Sequence, residues 1–280
     1  MSGKSIRIYL PTASINGIRH AEIANWTGQA LSCPRSEIKS LKDWDEVNSP
    51  GVYFLFGADD DGQHQAVYIG EAENVRDRLK NHVSNKDFWN EVICFTNKDE
   101  SLTKSHVKYL EAILIEQAKD INRYHLHNAA ASNKPTLPRA DRDAMNEFAD
   151  NVRILLGALG HKTLEPYATS AISNDNELSR LRLLNKNAYG NQVSDGFLVY
   201  KNSEMTKTIA KSLKINKKEI CKKLIADEVI VENEDNYIFL KNYLFSSPSG
   251  AASLLAGSSR NGQDCWKNEQ GQTLKEIETD

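Results

Sequence analysis

Two short apolar stretches, GVYFLF at 51–56 and AVYIG at 66–70, constrain the fold of this chain most strongly. An Asp- and Gly-rich segment separates them, and this pattern is typical of a β-hairpin. Because side chains alternate between the two faces of a strand, Tyr53 and Tyr68 point away from the aliphatic face. The pattern therefore predicts a hairpin with both phenols on one face. They are either packing residues or groups that face a ligand.

A charged helix is expected directly after the hairpin, in ENVRDRLKNHV at 73–83. Apolar residues recur there at four-residue spacing, at Val75, Leu79 and Val83. Arg78 and His82 are also four residues apart, so they lie on one side of the helix. Gly70 precedes this helix and allows the backbone to approach whatever the tyrosines contact.

A second helix is predicted in KSHVKYLEAILIEQAKDI at 104–121, and its buried face contains an acidic residue. Glu111 falls inside the apolar stripe, whereas Glu116 falls on the polar side. A buried carboxylate is costly unless it is paired with a cation. Glu111 is therefore either the partner of an arginine or a metal ligand, and its hard oxygen atoms suit Mg²⁺ or Mn²⁺.

The remaining pattern divides the chain into two parts. Strands are predicted in SIRIYLP and EVICFT, and a further helix closed by Gly160 precedes a polar, weakly patterned stretch. We expect an N-terminal extension at 1–47, a first domain at 48–165, a linker at 166–189 and a small second α+β domain at 190–276. Within the second domain, SPS at 247–249 is interpreted as a helix start, and Trp266 as a core anchor.

Composition excludes several classes of protein. The chain has 280 residues, of which 40% are hydrophobic and 26% charged, as in ordinary folded domains. No apolar run is long enough to span a bilayer, and the N-terminus lacks a signal-peptide pattern, so we expect a cytoplasmic protein without a membrane partner. The four cysteines are widely scattered and form no CxxC pair, which favours reduced thiols over a zinc site or disulfides.

The charge distribution is uneven. The whole chain has a formal net charge of −3, but the segment 201–223 carries eight lysines against two glutamates, a local net charge of +6. This segment is either a solvated helix face or a phosphate-binding surface. On the second interpretation, Lys214, Lys217 and Lys218 are candidate substrate-binding residues.

Five elements in order resemble the GIY-YIG nuclease family. They are GVY at 51–53, YIG at 68–70, Arg78, His82 and Glu111. Asn128 fits the family's later asparagine, and the resemblance covers about residues 48–130. It implies an α+β domain with a small three-stranded antiparallel sheet flanked by helices, and phosphodiester hydrolysis at a single Mg²⁺ or Mn²⁺.

The resemblance also implies a role for each residue. One of Tyr53 and Tyr68, or a water that it orients, delivers the nucleophile, and which of the two is the base stays open. Arg78 stabilises charge on the phosphate. Glu111 holds the metal. His82 accepts or relays a proton, since its ordinary pKa of about 6.5 suits that work.

Gly70 and Asn128 are expected beside the substrate. Glu71 departs from the family pattern, because many relatives carry a lysine or a small polar residue there. An acidic residue beside a phosphate is unfavourable unless it faces away or joins the metal ligands.

The flanking sequences are similar to a bacterial GIY-YIG subgroup with an uncharacterised C-terminal domain, and the tail from 247 resembles RAMA-like modules beside restriction-modification systems. The expected function is a divalent-metal-dependent DNA endonuclease in defence or DNA processing, with a C-terminal nucleic-acid-recognition module. The alternative is a non-catalytic nucleic-acid-binding protein on the same scaffold. A third alternative, an RNA-directed nuclease, also stays open.

Overall fold

The computed structural model describes residues 3–58, 65–99, 101–128, 133–166, 180–208 and 217–279. The chain divides into two compact units, Met1–Glu165 and Pro166–Asp280. Both units combine helices with largely antiparallel sheets, so the α+β class is confirmed. Within the described residues, no helix combines the length and apolar composition needed to cross a bilayer.

The first unit contains a seven-stranded sheet in the order β1-β2-β3-β6-β4-β5-β7. Its strands are β1 Ile6–Tyr9, β2 Arg19–Ile23, β3 Gly28–Pro34, β4 Gly51–Ala58, β5 Gln65–Ala72, β6 Trp89–Asn97 and β7 His125–Leu126. All neighbouring pairs are antiparallel except β5 and β7, which are parallel.

The three-stranded sheet expected from the sequence is the centre of this larger sheet. Strands β6, β4 and β5 are its antiparallel core, and the segment 1–47 does not simply pack against it but adds three strands. Strand β3 pairs with β6 from Gly28↔Asn97 to Pro34↔Glu91. The predicted sheet has too few strands. The second edge of β6 carries backbone N–H and C=O groups that need partners, and β3 supplies those partners.

Helices cover both faces of the sheet. They are α1 Val75–Asn85, α2 Lys104–Ile121 and α3 Arg139–Ala158, with two 3₁₀ helices at Arg35–Asp43 and Asp45–Asn48. Val52, Phe54 and Phe56 of β4 pack in the core formed with α2 and α3. Tyr53 and Leu55 pack in the core formed with α1 and the 3₁₀ helices. The tyrosine face predicted from the sequence is therefore correct, but this face is also covered.

The second unit contains a five-stranded sheet, β14-β10-β9-β8-β15, and a three-stranded sheet, β11-β13-β12. Its strands are β8 Leu181–Leu183, β9 Tyr189–Val193, β10 Gly196–Val199, β11 Glu204–Thr206, β12 Ile230–Glu232, β13 Asn236–Phe239, β14 Tyr243–Phe245 and β15 Trp266–Lys267. Its helices are α4 Lys217–Ala226, α5 Pro248–Ala256, α6 Gly262–Cys265 and α7 Leu274–Thr279.

Two local predictions in the second unit are confirmed, and one boundary is wrong. Ser247 caps α5 by accepting a hydrogen bond from the Gly250 N–H at 3.1 Å, and Trp266 is 0% exposed against Phe197. The expected linker 166–189 extends too far, because it contains β8 and the first residue of β9. A three-residue strand has too short an alternation to be recognised from sequence, and it forms because β9 and β15 pair with it on both sides.

Candidate functional site

Helix α1 places two of the candidate residues against the sheet. It begins after Asn74, whose side chain accepts a backbone hydrogen bond from the first turn. Its buried residues are Val75, Leu79 and His82, whereas Val83 is 36% exposed. The apolar spacing predicted Val83 on the buried face. A helix returns to the same face after seven residues, however, so His82 takes that position instead.

A hydrogen-bonded chain links α1 to β4. The Tyr53 hydroxyl lies 2.7 Å from His82 Nε2, and Arg78 Nε donates to the same hydroxyl at 3.4 Å. A guanidinium can only donate, so the phenol oxygen accepts from Arg78 and directs its own hydrogen towards His82. The chain therefore runs in one direction, from Arg78 through Tyr53 to His82.

The protonation states agree with this direction. Burial, with Arg78 and Lys86 adding to it, lowers the pKa of His82 to about 4, so its imidazole is neutral at neutral pH. Burial raises the pKa of Tyr53 above its ordinary value despite the opposing Arg78, so its phenol keeps its proton. Tyr53 is 0% exposed and is therefore a hydrogen-bonding partner inside the site rather than a group at its surface.

Tyr68 is the more accessible of the two tyrosines. It is half-buried, and its ring lies 6.4 Å from the Tyr53 ring and 5.4 Å from the His82 ring, centroid to centroid. Lys86 Nζ lies 4.2 Å from the centre of the Tyr68 ring. The Arg78 guanidinium has its pKa raised by the Tyr53 hydroxyl first and also by Tyr68. Two cations therefore flank the accessible phenol.

Gly70 makes room for this arrangement. It lies opposite Tyr53 on the neighbouring strand. A Cβ at position 70 would lie 2.3 Å from the Tyr53 hydroxyl oxygen, far inside van der Waals contact. The Tyr53 ring therefore lies across the backbone of β5, and only glycine permits this approach.

Two carboxylates, Glu71 and Glu111, are within electrostatic range of one another. Glu71 follows Gly70 on β5, and its pKa is raised by burial first and by the Glu111 carboxylate next. Glu111 is half-buried on α2 and also contributes to the raised pKa of Tyr53. Glu71 and Glu111 are therefore close enough to act on one another, and Glu111 acts on the tyrosine cluster as well.

The carboxylate pair fits the way in which Mg²⁺ or Mn²⁺ is usually held on a phosphate substrate. The described part of the chain contains no group of three or more His, Cys, Asp or Glu side chains that could hold a metal ion. Mg²⁺ commonly binds one or two carboxylates and takes its other ligands from water and substrate phosphates. Glu71 and Glu111 are two carboxylates of the type that such a site uses, and metal binding by them stays a prediction.

Asn128 contacts the backbone of β5. Its Oδ1 accepts from the Ile69 N–H at 3.0 Å, and its Nδ2 donates to the Ile69 carbonyl at 2.8 Å. The side chain thus continues the pairing that β7 begins at Ala66 and Val67. Asn128 positions the strand that carries Tyr68, and its predicted contact with substrate stays a prediction.

The structure describes only part of the lysine-rich segment. Lys214 lies outside the described residues, and Lys217 and Lys218 open α4 without described side chains. Lys207 forms an ion pair with Glu232 at 2.8 Å, so one lysine of the segment is neutralised within the unit. Phosphate binding by the other lysines stays a prediction.

The sequence argument missed Lys86 as a site residue. It follows His82 by four residues, as His82 follows Arg78, but its backbone is extended and it lies just beyond the last residue of α1. That spacing was the available signal. Lysines are common on protein surfaces, so this spacing does not distinguish Lys86 until the position of Tyr68 is known.

Comparison with known families finds one match, in the second unit. Residues 180–278 match the family described as Domain of unknown function (DUF4357). The matched residues run from the start of β8 into α7. No curated protein and no solved structure matches the chain.

Proposed function

We propose that the protein is a divalent-metal-dependent endonuclease that hydrolyses phosphodiester bonds in DNA, with a nucleic-acid-recognition module in its second unit. One observation carries the proposal. Tyr53, Tyr68, Arg78 and His82 form a single contacting cluster, and the Glu111 carboxylate acts on it. A folding requirement alone does not explain why a guanidinium, two phenols and an imidazole contact one another within the electrostatic range of a carboxylate.

Within this proposal, the solvent exposure of each residue determines the role that it is assigned. Tyr68 contacts the substrate or orients the attacking water, because Tyr53 is fully buried. Arg78 and Lys86 stabilise negative charge as it develops on the phosphate. The Tyr53–His82 pair fixes Arg78 and holds a proton at the phenol oxygen. A bound divalent metal at Glu111 and Glu71 would polarise the phosphate and neutralise the leaving oxygen.

The first test is cleavage by the Arg78→Ala variant. We expect its rate to fall about 10²–10³-fold, because the loss of one preorganised charge-stabilising donor typically costs that much. The assay compares supercoiled, linear, single-stranded and branched DNA with Mg²⁺ or Mn²⁺. Arg76→Ala is the matched control, since it removes an arginine from the same helix.

Two outcomes would contradict the proposal. If the wild-type chain cuts DNA at its normal rate in excess EDTA, the reaction does not need a divalent metal. If Arg78→Ala cuts at the wild-type rate, the cluster takes no part in the reaction.

The alternative is a nucleic-acid-binding protein without catalysis. Support for this alternative comes from the raised pKa of Tyr53, because a phenol that keeps its proton is not a base and only Tyr68 is then left as a candidate. It predicts that the wild-type chain binds DNA but cuts none of the substrates with either metal. It also predicts that Arg78→Ala lowers affinity only.

A separate prediction concerns the lysine-rich segment. The Lys214→Gln/Lys217→Gln/Lys218→Gln variant of the full chain should bind duplex DNA with a weaker salt dependence, because each phosphate contact contributes about −0.9 to the log–log slope. Cleavage at saturating DNA should be unchanged. Fluorescence anisotropy across a salt series measures the slope, and Lys39→Gln/Lys42→Gln is the control because both lysines are exposed in the first unit. An unchanged slope would identify the segment as a solvated face.

A further inference from the structure

A row of cationic and aromatic side chains crosses three neighbouring strands of the second unit. The register places Lys267 of β15 opposite Arg182 of β8, and Arg182 opposite Tyr189 of β9. Their chain neighbours Leu183 and Trp266 are buried in the core. The row therefore lies on the outer face of the sheet.

This row is electrostatically unfavourable without a ligand. Arg182 and Lys267 are directly opposite one another, and like charges in that position destabilise a sheet. Among the described residues, no carboxylate forms an ion pair with Arg180, Arg182 or Lys267. Glu276 is influenced by Lys267, but it is hydrogen-bonded to Thr273. An anion from outside would relieve the repulsion.

The two guanidinium groups are held in place by neighbouring residues. Arg180 lies over the Tyr200 ring, with its Cζ 4.9 Å from the ring centre. Arg182 donates from Nε to the Lys186 carbonyl at 3.1 Å and from Nη2 to the Asn187 Oδ1 at 3.4 Å. Neither contact supplies a counter-charge, and each contact restrains an exposed guanidinium group. Preorganisation of this kind lowers the entropic cost of binding.

These groups line a cleft of about 630 Å³, within the range of about 300–1,000 Å³ usual for ligand sites. The lining residues are Arg180, Arg182, Tyr189, Lys267, Asn268 and Glu269. Tyr189 is 36% exposed, and the Arg182 Cζ lies 6.0 Å from the centre of its ring, so the ring is a partly accessible apolar surface beside a cation. Cations that follow a phosphate backbone beside an aromatic ring that stacks a base are the usual means of binding single strands.

We propose that this cationic cleft binds a single-stranded nucleic-acid segment, with phosphates on Arg180, Arg182 and Lys267 and one base on Tyr189. A single strand is favoured over a duplex because duplex bases are already stacked and do not reach a ring on a sheet face. The inference rests on the proposed function only for the nucleic-acid class of the partner. The cleft takes no part in the proposed cleavage chemistry.

The test is binding of a labelled oligothymidylate to the full chain in EDTA, by fluorescence anisotropy across a salt series. Each phosphate contact on a single strand contributes about −0.7 to the log–log slope, so Arg182→Gln and Lys267→Gln should each flatten the slope by about 0.7. Tyr189→Leu should weaken binding about tenfold at an unchanged slope, because stacking is not ionic. Lys275→Gln is the control, since it removes an exposed lysine of the same unit outside the cleft.

Further oligonucleotides separate the phosphate from the base. An abasic oligonucleotide should bind wild type and Tyr189→Leu equally, whereas the oligothymidylate should distinguish them. Duplex binding that Arg182→Gln and Tyr189→Leu weaken as much as they weaken single-strand binding, or unchanged single-strand binding in these variants, would overturn the proposal. Inorganic tripolyphosphate that competes as well as the oligonucleotide would show a site for phosphate alone and would overturn it too.

The binding test is independent of the nuclease proposal. A chain that cuts nothing but loses oligonucleotide binding in the cleft variants would disprove the nuclease and support the cleft. If the wild-type chain cuts DNA and the cleft variants still bind single strands normally, the nuclease proposal is supported and the cleft proposal is disproved.

Discussion

Glutamine at position 111 is expected to abolish metal-dependent cleavage while the fold is kept. The change removes one carboxylate oxygen and its charge but keeps the size of a half-buried side chain on α2. Mg²⁺ and Mn²⁺ depend on hard, charged oxygen ligands, so the loss should exceed the effect of removing a single hydrogen-bond donor, which is about 10²–10³-fold. Cleavage of supercoiled DNA in a metal titration measures it.

A second measurement tests the same geometry without activity. Because Glu111 is one of the causes of the raised pKa of Glu71, Glu111→Gln should lower the pKa of Glu71 towards its ordinary value. NMR titration of the Glu71 carboxyl measures that pKa. Glu116→Gln is the control, since Glu116 lies on the same helix but is exposed and paired with Lys134 at 3.3 Å. Full cleavage by Glu111→Gln, or an unchanged Glu71 pKa, would contradict the arrangement.

The largest expected loss of stability comes from Glu91, in a half-buried polar network outside the candidate site. Glu91 forms an ion pair with Arg19 and accepts hydrogen bonds from Ser32, and His161 Nε2 lies 3.0 Å from its second oxygen. The Arg19 and Glu91 side chains are only 18% and 22% exposed. Glu91→Gln leaves the partly buried guanidinium without a counter-charge, so the free energy of unfolding should fall by about 1–3 kcal/mol, between the cost of breaking a surface pair and that of breaking a fully buried one.

The matched surface change should cost far less. Glu116→Gln breaks an ion pair whose side chains are 65% and 45% exposed, and such pairs contribute about 0–1 kcal/mol. Hydrogen exchange of the β3 and β6 amides in a urea series reports the stability of the first unit. Replacing both partners, as in Arg19→Met/Glu91→Leu, should recover most of the loss, because no unpaired buried charge remains. Equal losses for Glu91→Gln and Glu116→Gln would show that the network contributes no more than a surface pair.

The stability supplied by Glu91 also depends on pH. Burial alone would raise the pKa of Glu91, but hydrogen bonds from His161 and Ser32 together with the Arg19 charge lower it from 4.5 to about 2. A carboxyl with a lowered pKa stabilises the fold above its unfolded pKa, and this stability is lost as the pH falls through the folded pKa. The difference between wild type and Glu91→Gln should therefore be largest at neutral pH and shrink between about pH 5 and pH 2. A constant difference would contradict the lowered pKa.

Local patterns predicted much of the first unit. The helix predicted at 104–121 is α2, because its apolar spacing, its N-cap and its length all favour the same structure. The helix end at Gly160 is confirmed by its φ of 103°, which glycine adopts at low cost. The alternation of β4 and β5 placed Tyr53 and Tyr68 on one face, and the structure brings both rings to His82.

Other features depended on partners that are distant in sequence. Strands β2 and β3 have weak patterns of their own. Strand β3 belongs to the sheet because it pairs with the free edge of β6, and β2 pairs with the other edge of β3. His82 was interpreted as one side of a charged face, yet it is 5% exposed, because the sheet covers the whole inner side of α1. The ion pair between Arg19 and Glu91 joins residues that only the completed sheet brings together.

The sequence by itself determined the three central strands and the helices of the first unit and which residue types share a face, because alternation and helical spacing are properties of a local stretch of chain. It also determined that Arg78, His82 and Glu111 were worth considering as a group. The tertiary structure decided which of these groups are buried, and hence their protonation. Burial by distant elements keeps Tyr53 protonated and His82 neutral, and it leaves Tyr68 as the accessible phenol, because the cost of desolvating a charge depends on every element packed around it.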